Sequence, residues 1–100
     1  YAKLTLENQQ GNLSLTYYDA VVRFYSDAAC TVPVSVTNVT VNYSVANYDP
    51  TPNVTTVTTG SYVCSGTSAV IYPSLLTYQR AGRITNTITL TTGAGYTVAP

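Results

Sequence analysis

The side chains of this chain that could do chemistry are few and stand apart. Histidine, the commonest general base in nucleophilic and acid–base catalysis, is absent. The carboxylates are solitary, whereas glycoside hydrolysis needs a facing pair; they are Glu7, Asp19, Asp27 and Asp49. We therefore predict that the protein is not an enzyme and has no cofactor. The aspartates are expected to cap turns. A calcium site built from Asp19, Asp27 or Asp49 is the alternative, although no EF-hand spacing supports it.

Cys30 and Cys64 are the only cysteines. Two thiols without histidine are too few for a zinc site, so a disulfide between them is the simplest interpretation. Closing a loop of 64 − 30 = 34 residues would stabilise the fold by about 3–4 kcal/mol in the chain-entropy model. Disulfides persist in oxidising compartments, which favours an extracellular protein. The alternative is a pair of buried free thiols in a cytosolic protein.

Several residue types suggest contact with sugars. Asn-X-Ser/Thr sequons, the acceptors of N-linked glycans, begin at Asn12, Asn38, Asn42 and Asn53. The ten tyrosines are more than a thin core can bury, and exposed tyrosines are favoured at interfaces and as platforms for sugars. The candidates for ligand or interface contact are Tyr18, Tyr48, Tyr78 and Tyr96.

One covalent possibility involves the only lysine. Lys3 and Glu7 lie in the first predicted strand, and Asn86 lies on an apolar face of a late one. These are the residue types of a Lys–Asn isopeptide bond beside a buried acid. A solvated Lys3 and a locally hydrogen-bonded Asn86 are the simpler expectation.

Charge and hydropathy exclude several partners. Only 8% of residues are charged and the formal net charge is zero. Four basic residues cannot form the clustered footprint that binds nucleic acid or anionic lipid. No apolar run approaches 18 residues, so we predict no membrane span. The chain starts at Tyr1 without an initiator methionine, which suggests a processed chain or an excised domain. A neutral, threonine-rich surface tolerates copies of itself or neutral glycans.

The elements that must position these residues are strands. From Val39 to Tyr48, apolar and polar residues alternate with the period of a half-buried strand. Turn signals recur every 8–12 residues and divide the chain into about nine short strands, with Asp19 and Pro73 as breaks and residues 74–83 as a loop with a helical turn. The pattern predicts one all-β domain over residues 1–100, an antiparallel immunoglobulin-like β-sandwich with Greek-key connections. A parallel β-helix is the alternative, but no fixed repeat supports it.

The first predicted strand is a candidate for exchange between molecules. Residues 1–7 alternate at the very start of the chain, so this segment could complete a neighbour's sheet by β-strand addition. Such a head-to-tail contact does not close and generates a filament. The alternative is an ordinary strand in its own sheet. The segment consists of Tyr1, Ala2, Lys3, Leu4, Thr5, Leu6 and Glu7.

The run from Val22 to Val34, VRFYSDAACTVPV, is followed by the long Val/Thr/Asn strand. Together they resemble small immunoglobulin-like β-sandwich modules of bacterial secreted surface, pilus and fibre proteins. The resemblance implies extracellular display and a structural or adhesive role, and it carries over no catalytic residue. We therefore expect a structural subunit of a surface filament, pilus or fibre that polymerises with copies of itself. The alternative is a glycan-binding adhesion module that uses exposed tyrosines.

Overall fold

The chain forms seven strands in a computed structural model that describes residues 1–12, 15–49, 52–80 and 83–100. No helix occurs among these residues, which confirms the all-β prediction. The strands are β1 (Ala2–Gly11), β2 (Leu15–Phe24), β3 (Val36–Asp49), β4 (Val54–Gly66), β5 (Ser68–Arg80), β6 (Arg83–Ile84) and β7 (Asn86–Thr91). The loop predicted around Pro50 and Thr51 and the strand start predicted at Leu13 lie outside the described residues.

Two antiparallel sheets make up the fold, an arrangement compatible with a β-sandwich. One sheet has the strand order β1-β2-β5-β6 and the other β4-β3-β7. The chain passes from one sheet to the other three times: over residues 25–35, between β2 and β3; at Thr67, between β4 and β5; and at Thr85, between β6 and β7. The β1–β2, β3–β4 and β5–β6 hairpins all turn at one end of the molecule, whereas both termini lie at the other end.

The core lies between the inner faces of the two sheets. β3 contributes Val41 and Val45, as its alternation predicts, and Ile88 of β7 lies across from Val45. The other sheet contributes Val22, Ile71, Leu75 and Phe24, the last at 2% exposure. The prediction that Phe24 is a core residue is therefore confirmed. Each fully buried side chain of this size contributes roughly 1.5–3 kcal/mol relative to an exposed one.

Two of the predicted strand breaks are wrong, because the strands continue through β-bulges at these positions. β2 continues through Asp19, where its register against β5 shifts. β5 continues through Pro73 and Ser74, so residues 74–80 form a strand and not the predicted loop. Ser74 has a φ of 52°, and Pro73 is exposed at the irregular point of the ladder. Proline is tolerated in a sheet at such a bulge because the ladder hydrogen bond is already missing there.

Candidate functional site

β4 forms one edge of the three-stranded sheet and is its most exposed element. Every residue from Val54 to Val63 is exposed except Gly60, which is half-buried. At about 3.3 Å per residue, its 13 residues extend roughly 43 Å, which compares with the 41 Å long axis of the molecule. Only β3 pairs with β4 among the described strands, so the other edge of its backbone is free to accept a further strand.

The composition of β4 favours association. A protected edge strand is usually short or carries charge, lysine above all, or proline. β4 has no charged residue and no proline, and it exposes Val57 at 62% and Val63 at 58%. In the register with β3, Val57 lies opposite Ala46, and Val63 lies opposite Thr40, on the outer face of the sheet. The opposing β7 positions on this face are threonines, at Thr87, Thr89 and Thr91. The whole outer face is therefore uncharged.

The terminal segment predicted to exchange between molecules lies in its own sheet. Ala2 pairs with Phe24, and the β1–β2 ladder continues to Glu7 opposite Asp19. The C-terminal segment also holds Ala2: its backbone N–H donates to the Thr97 carbonyl at 2.8 Å, and the Ala99 N–H donates to the Ala2 carbonyl at 2.9 Å. Because Ala2 is fully buried, releasing residues 1–7 would open the core at this end.

A groove of about 580 Å³ opens between the sheets at the hairpin end. Two of the four tyrosines singled out in the sequence, Tyr48 and Tyr78, line this groove together with Tyr72. Polar residues also line the groove, among them Asn47, Asp49 and Ser74. The sequence did not indicate Tyr72 or Ser74, because the prediction that β5 ends at Pro73 removed them from any common surface.

Internal contacts hold the groove in place. Asn86 is 4% exposed; its Nδ2 donates to the Leu76 carbonyl at 2.7 Å, and its Oδ1 accepts the Tyr48 backbone N–H at 3.0 Å. This one amide therefore ties the end of β3 to β5 across the floor of the groove. The Tyr72 ring meets Tyr43 edge to face, with centroids 6.0 Å apart. The Tyr48 hydroxyl donates to Oδ1 of Asn53.

The other two candidate tyrosines lie elsewhere. Tyr96 is only 8% exposed, so its prediction as a ligand or interface aromatic is wrong. Its hydroxyl donates to the Thr91 carbonyl at 2.5 Å and accepts the Asn42 backbone N–H at 2.9 Å, which fixes the chain after β7 to β3. Tyr18 is half-buried in β2 opposite Leu75 and does not line the groove.

The sequon asparagines differ in accessibility. Asn12, Asn38 and Asn53 are exposed and belong to turns or irregular backbone, whereas Asn42 is half-buried in the middle of β3. Asn38 and Asn53 adopt positive φ angles of 51° and 69°, and the second and third residues of the Asn12 sequon lie outside the described residues. Glycosylation at these sites stays a prediction, with Asn42 the least accessible acceptor.

The two cysteines are free in the structure, so the predicted disulfide is not formed there. Cys30 is half-buried in the loop between β2 and β3, whereas Cys64 belongs to the core at 1% exposure. Burial raises the pKa of the Cys64 thiol, which disfavours the reactive thiolate.

The carboxylates serve local structure. Asp27 accepts the backbone N–H groups of Thr31 and Val32, as expected for a turn cap, and its pKa is lowered by the Thr31 hydroxyl above all. Asp19 lies within β2 and not at a turn. Glu7 forms a two-pronged ion pair with Arg23, whose hydrogen bonds lower the Glu7 pKa to about 2. Among the described residues, no group of three or more acidic, cysteine or histidine side chains could hold a metal ion.

The structure does not bring together the candidates for an isopeptide bond. Leu76, whose carbonyl accepts from Asn86, lies opposite Tyr17, whereas Lys3 lies opposite Arg23. Tyr17 and Arg23 are six residues apart along β2, which corresponds to about 20 Å, so Lys3 and Asn86 lie at distant levels of the molecule. The Asn86 amide is instead hydrogen-bonded to backbone groups, the simpler of the two expectations.

Comparison of the chain with protein-family models, with curated proteins and with solved structures returned no match. Within the described residues, no helix is long and apolar enough to cross a membrane. The features of the described chain that bear on function are the free edge of β4, the uncharged outer face and the groove.

Proposed function

We propose that the protein is an extracellular structural subunit of a surface filament, pilus or fibre, and that copies assemble by β-strand addition. The exposed edge of β4 is the observation that supports this most directly. An unpaired strand of 13 residues without charge or proline is a template for another strand. Because the chain carries no net charge, two copies meet without long-range repulsion.

Antiparallel addition of β4 to β4 of a second copy is the arrangement that best uses this edge. In the register centred on Gly60, Val57 of each copy lies opposite Val63 of the other. The two most exposed valines of β4 then become cross-strand pairs on one face, the kind of pair that stabilises sheets. The two three-stranded sheets would join into one six-stranded sheet.

A contact of this kind uses the same surface on both copies and by itself closes a dimer. A second contact is therefore needed for an open chain of subunits, and the other edge of the same sheet, β7, supplies one. Alternating β4–β4 and β7–β7 contacts extend the sheet without closure. In this arrangement β4 and β7, and not the β1 segment predicted from the sequence, join the copies. We prefer them because Ala2 of β1 is held by both β2 and the C-terminal segment.

The strand order supports the finer fold prediction on which this proposal draws. Strands β1-β2-β5 and β4-β3-β7 correspond to strands A-B-E and C′-C-F of an immunoglobulin-like sandwich. In that scheme a strand G would lie beside β7, at an edge where no described strand pairs. A groove of about 370 Å³ lined by Leu4, Leu90 and Val98 lies on this side. The edge of β7 is thus suited to accepting a strand.

The extracellular assignment rests on the low charge and on the exposed sequons at Asn12, Asn38 and Asn53. The Cys30–Cys64 disulfide remains a prediction for the secreted protein. Neither feature is needed for the assembly mechanism, which depends on the sheet edges alone.

Substitution of Val57 by lysine tests the assembly. A lysine on the free edge opposes strand addition by charge repulsion and by the loss of the valine pair. We expect the wild-type protein to form polymers in electron micrographs and V57K to stop at small, discrete species by light scattering. The matched control is V32K, which changes the same residue type at 52% exposure in a loop outside the strands. Monomeric wild-type protein at high concentration, or V57K polymers like those of the wild type, would overturn the proposal.

A further inference from the structure

We propose that the groove at the hairpin end binds a neutral saccharide. The proposal concerns the surface lined by Tyr48, Tyr72, Tyr78, Asn47, Asp49 and Ser74, hereafter the tyrosine groove. Most of this surface comes from β3 and β5, and Thr56 of β4 and Asn86 of β7 complete it. Saccharide binding is proposed as a function separate from assembly and is tested separately.

The chemistry of the lining selects the class of ligand. Among the described residues that line the tyrosine groove, none is a lysine or an arginine, and Asp49 is the one charged side chain. These described residues offer an anionic ligand no partner for its charge. Amide, carboxylate and hydroxyl groups of Asn47, Asp49 and Ser74 donate and accept hydrogen bonds. Tyrosine rings beside them add flat apolar surface. A neutral ligand with many hydroxyl groups and apolar C–H faces matches this combination.

The walls of the groove are held before a ligand arrives. The side-chain amide of Asn86 forms hydrogen bonds with backbone groups of β3 and β5 through both its oxygen and its nitrogen. The Tyr72 ring is supported by Tyr43, and the Tyr48 hydroxyl is held by Asn53. Binding to such a surface orders few side chains, which reduces the entropic cost of association.

The size of the groove is appropriate to a short oligosaccharide. Its volume of about 580 Å³ lies within the range of roughly 300–1,000 Å³ usual for small-molecule sites. It is also open to solvent at the end of the sandwich, so the remaining sugars of a longer chain can leave it.

Saturation-transfer difference NMR with maltotriose, cellotriose and chitotriose tests the proposal, because the method tolerates assembled protein. We expect transfer to at least one of these probes. Tyr78→Ala should weaken binding about tenfold or more. Tyr62→Ala, which removes a 45%-exposed tyrosine of β4 outside the groove, is the matched control and should bind like the wild type. Asn47→Ala provides a second groove variant at an exposed position if Tyr78→Ala fails to fold by circular dichroism.

Three results would overturn the proposal. One is the absence of transfer to every neutral probe. Another is equal loss of binding in Tyr62→Ala and in a folded groove variant. The third is preferential transfer to an anionic probe such as sialyllactose, because the described lining residues include no lysine or arginine. Assembly of V57K is measured separately, so failure of saccharide binding leaves the filament proposal standing, and the reverse also holds.

Discussion

At the scale of single residues, the two cysteines differ in how accessible their thiols are to solvent. Cys64 is almost fully buried with a pKa raised by desolvation, whereas Cys30 is half-buried in a loop. Thiol reagents attack the accessible thiolate. We therefore expect iodoacetamide to label Cys30 of the folded protein well before Cys64, as read by peptide mass spectrometry.

The same measurement decides the state of the predicted disulfide. Unfolding in guanidinium without reductant should expose both thiols to labelling if they are free, as they are in the structure. If both stay unlabelled until a reductant is added, the purified protein contains the Cys30–Cys64 bond and the prediction from the sequence is correct.

Asn86 and Tyr96 show what the sequence could and could not predict about individual residues. The alternation around Asn86 correctly marks it as a polar residue on an apolar face. Its partners are the backbone of Tyr48 and Leu76, which no local pattern reveals because they come from two other strands. Tyr96 follows a glycine-containing turn near the chain end, where a tyrosine is as easily exposed as buried. What distinguishes the two outcomes is the long-range hydrogen bond from the Asn42 backbone N–H to the Tyr96 hydroxyl, which accompanies the burial of this side chain.

At the scale of elements, Asp19 connects the irregular stretches of β1, β2 and β5, which lie side by side in the sheet. Its carboxylate accepts from the Asn8 side chain on one side at 3.2 Å and from the Ser74 backbone N–H on the other at 3.0 Å. Asn8 and Ser74 have φ angles of 58° and 52°, a left-handed conformation that costs free energy in non-glycine residues. One side chain in the central strand therefore holds irregular backbone in both neighbours.

The two hydrogen bonds that the Asp19 carboxylate accepts, hereafter the Asp19 clamp, predict that the free energy of unfolding depends on pH. The Ser74 N–H, and secondarily the Asn8 amide, lowers the Asp19 pKa in the folded state below its ordinary value of 3.8. Stability from the charged form is therefore present above this value and is lost as the pH falls through the folded-state pKa. We expect D19N to be less stable than the wild type in urea at pH 7, with the difference shrinking below pH 4. A constant difference between pH 7 and pH 2.5 would contradict the clamp.

The element boundaries show why local patterns fail at bulges. The alternation of β3 extends over a regular ladder, so its period predicted the strand correctly. Asp19 and Pro73 are residue types that usually occur in turns, so the sequence alone predicts a strand break at each. In the structure, the neighbouring strands absorb the irregularity through Asn8 and Ser74, a cooperation across three strands that no single segment encodes. The exposed edge of β4 was also missed, although its lack of charge and proline was visible in the sequence.

At the scale of the whole molecule, two features act together. Both sheets share one thin core, and the chain crosses between them three times, over residues 25–35, at Thr67 and at Thr85. Neither sheet can therefore separate from the other without exposing the residues that stabilise both. At the same time the outer face of the three-stranded sheet is uncharged, and no further described strand pairs with its edge strands β4 and β7. These two edges are where strand addition is proposed.

A matched pair of leucine substitutions tests how far stability depends on this shared core. Leu75 is a core residue with 2% exposure, whereas Leu6 is 37% exposed on β1. Truncating a buried leucine costs about 2–5 kcal/mol, against about 0.5 kcal/mol for a typical exposed site. A domain of this size loses about 4–8 °C in Tm per kcal/mol. We therefore expect Leu75→Ala to lower Tm by at least about 10 °C, and Leu6→Ala by less than half as much. Similar losses for both would mean that stability lies in the edge ladder of β1 as much as in the core. A second transition in calorimetry of Leu75→Ala would mean that the two sheets unfold independently.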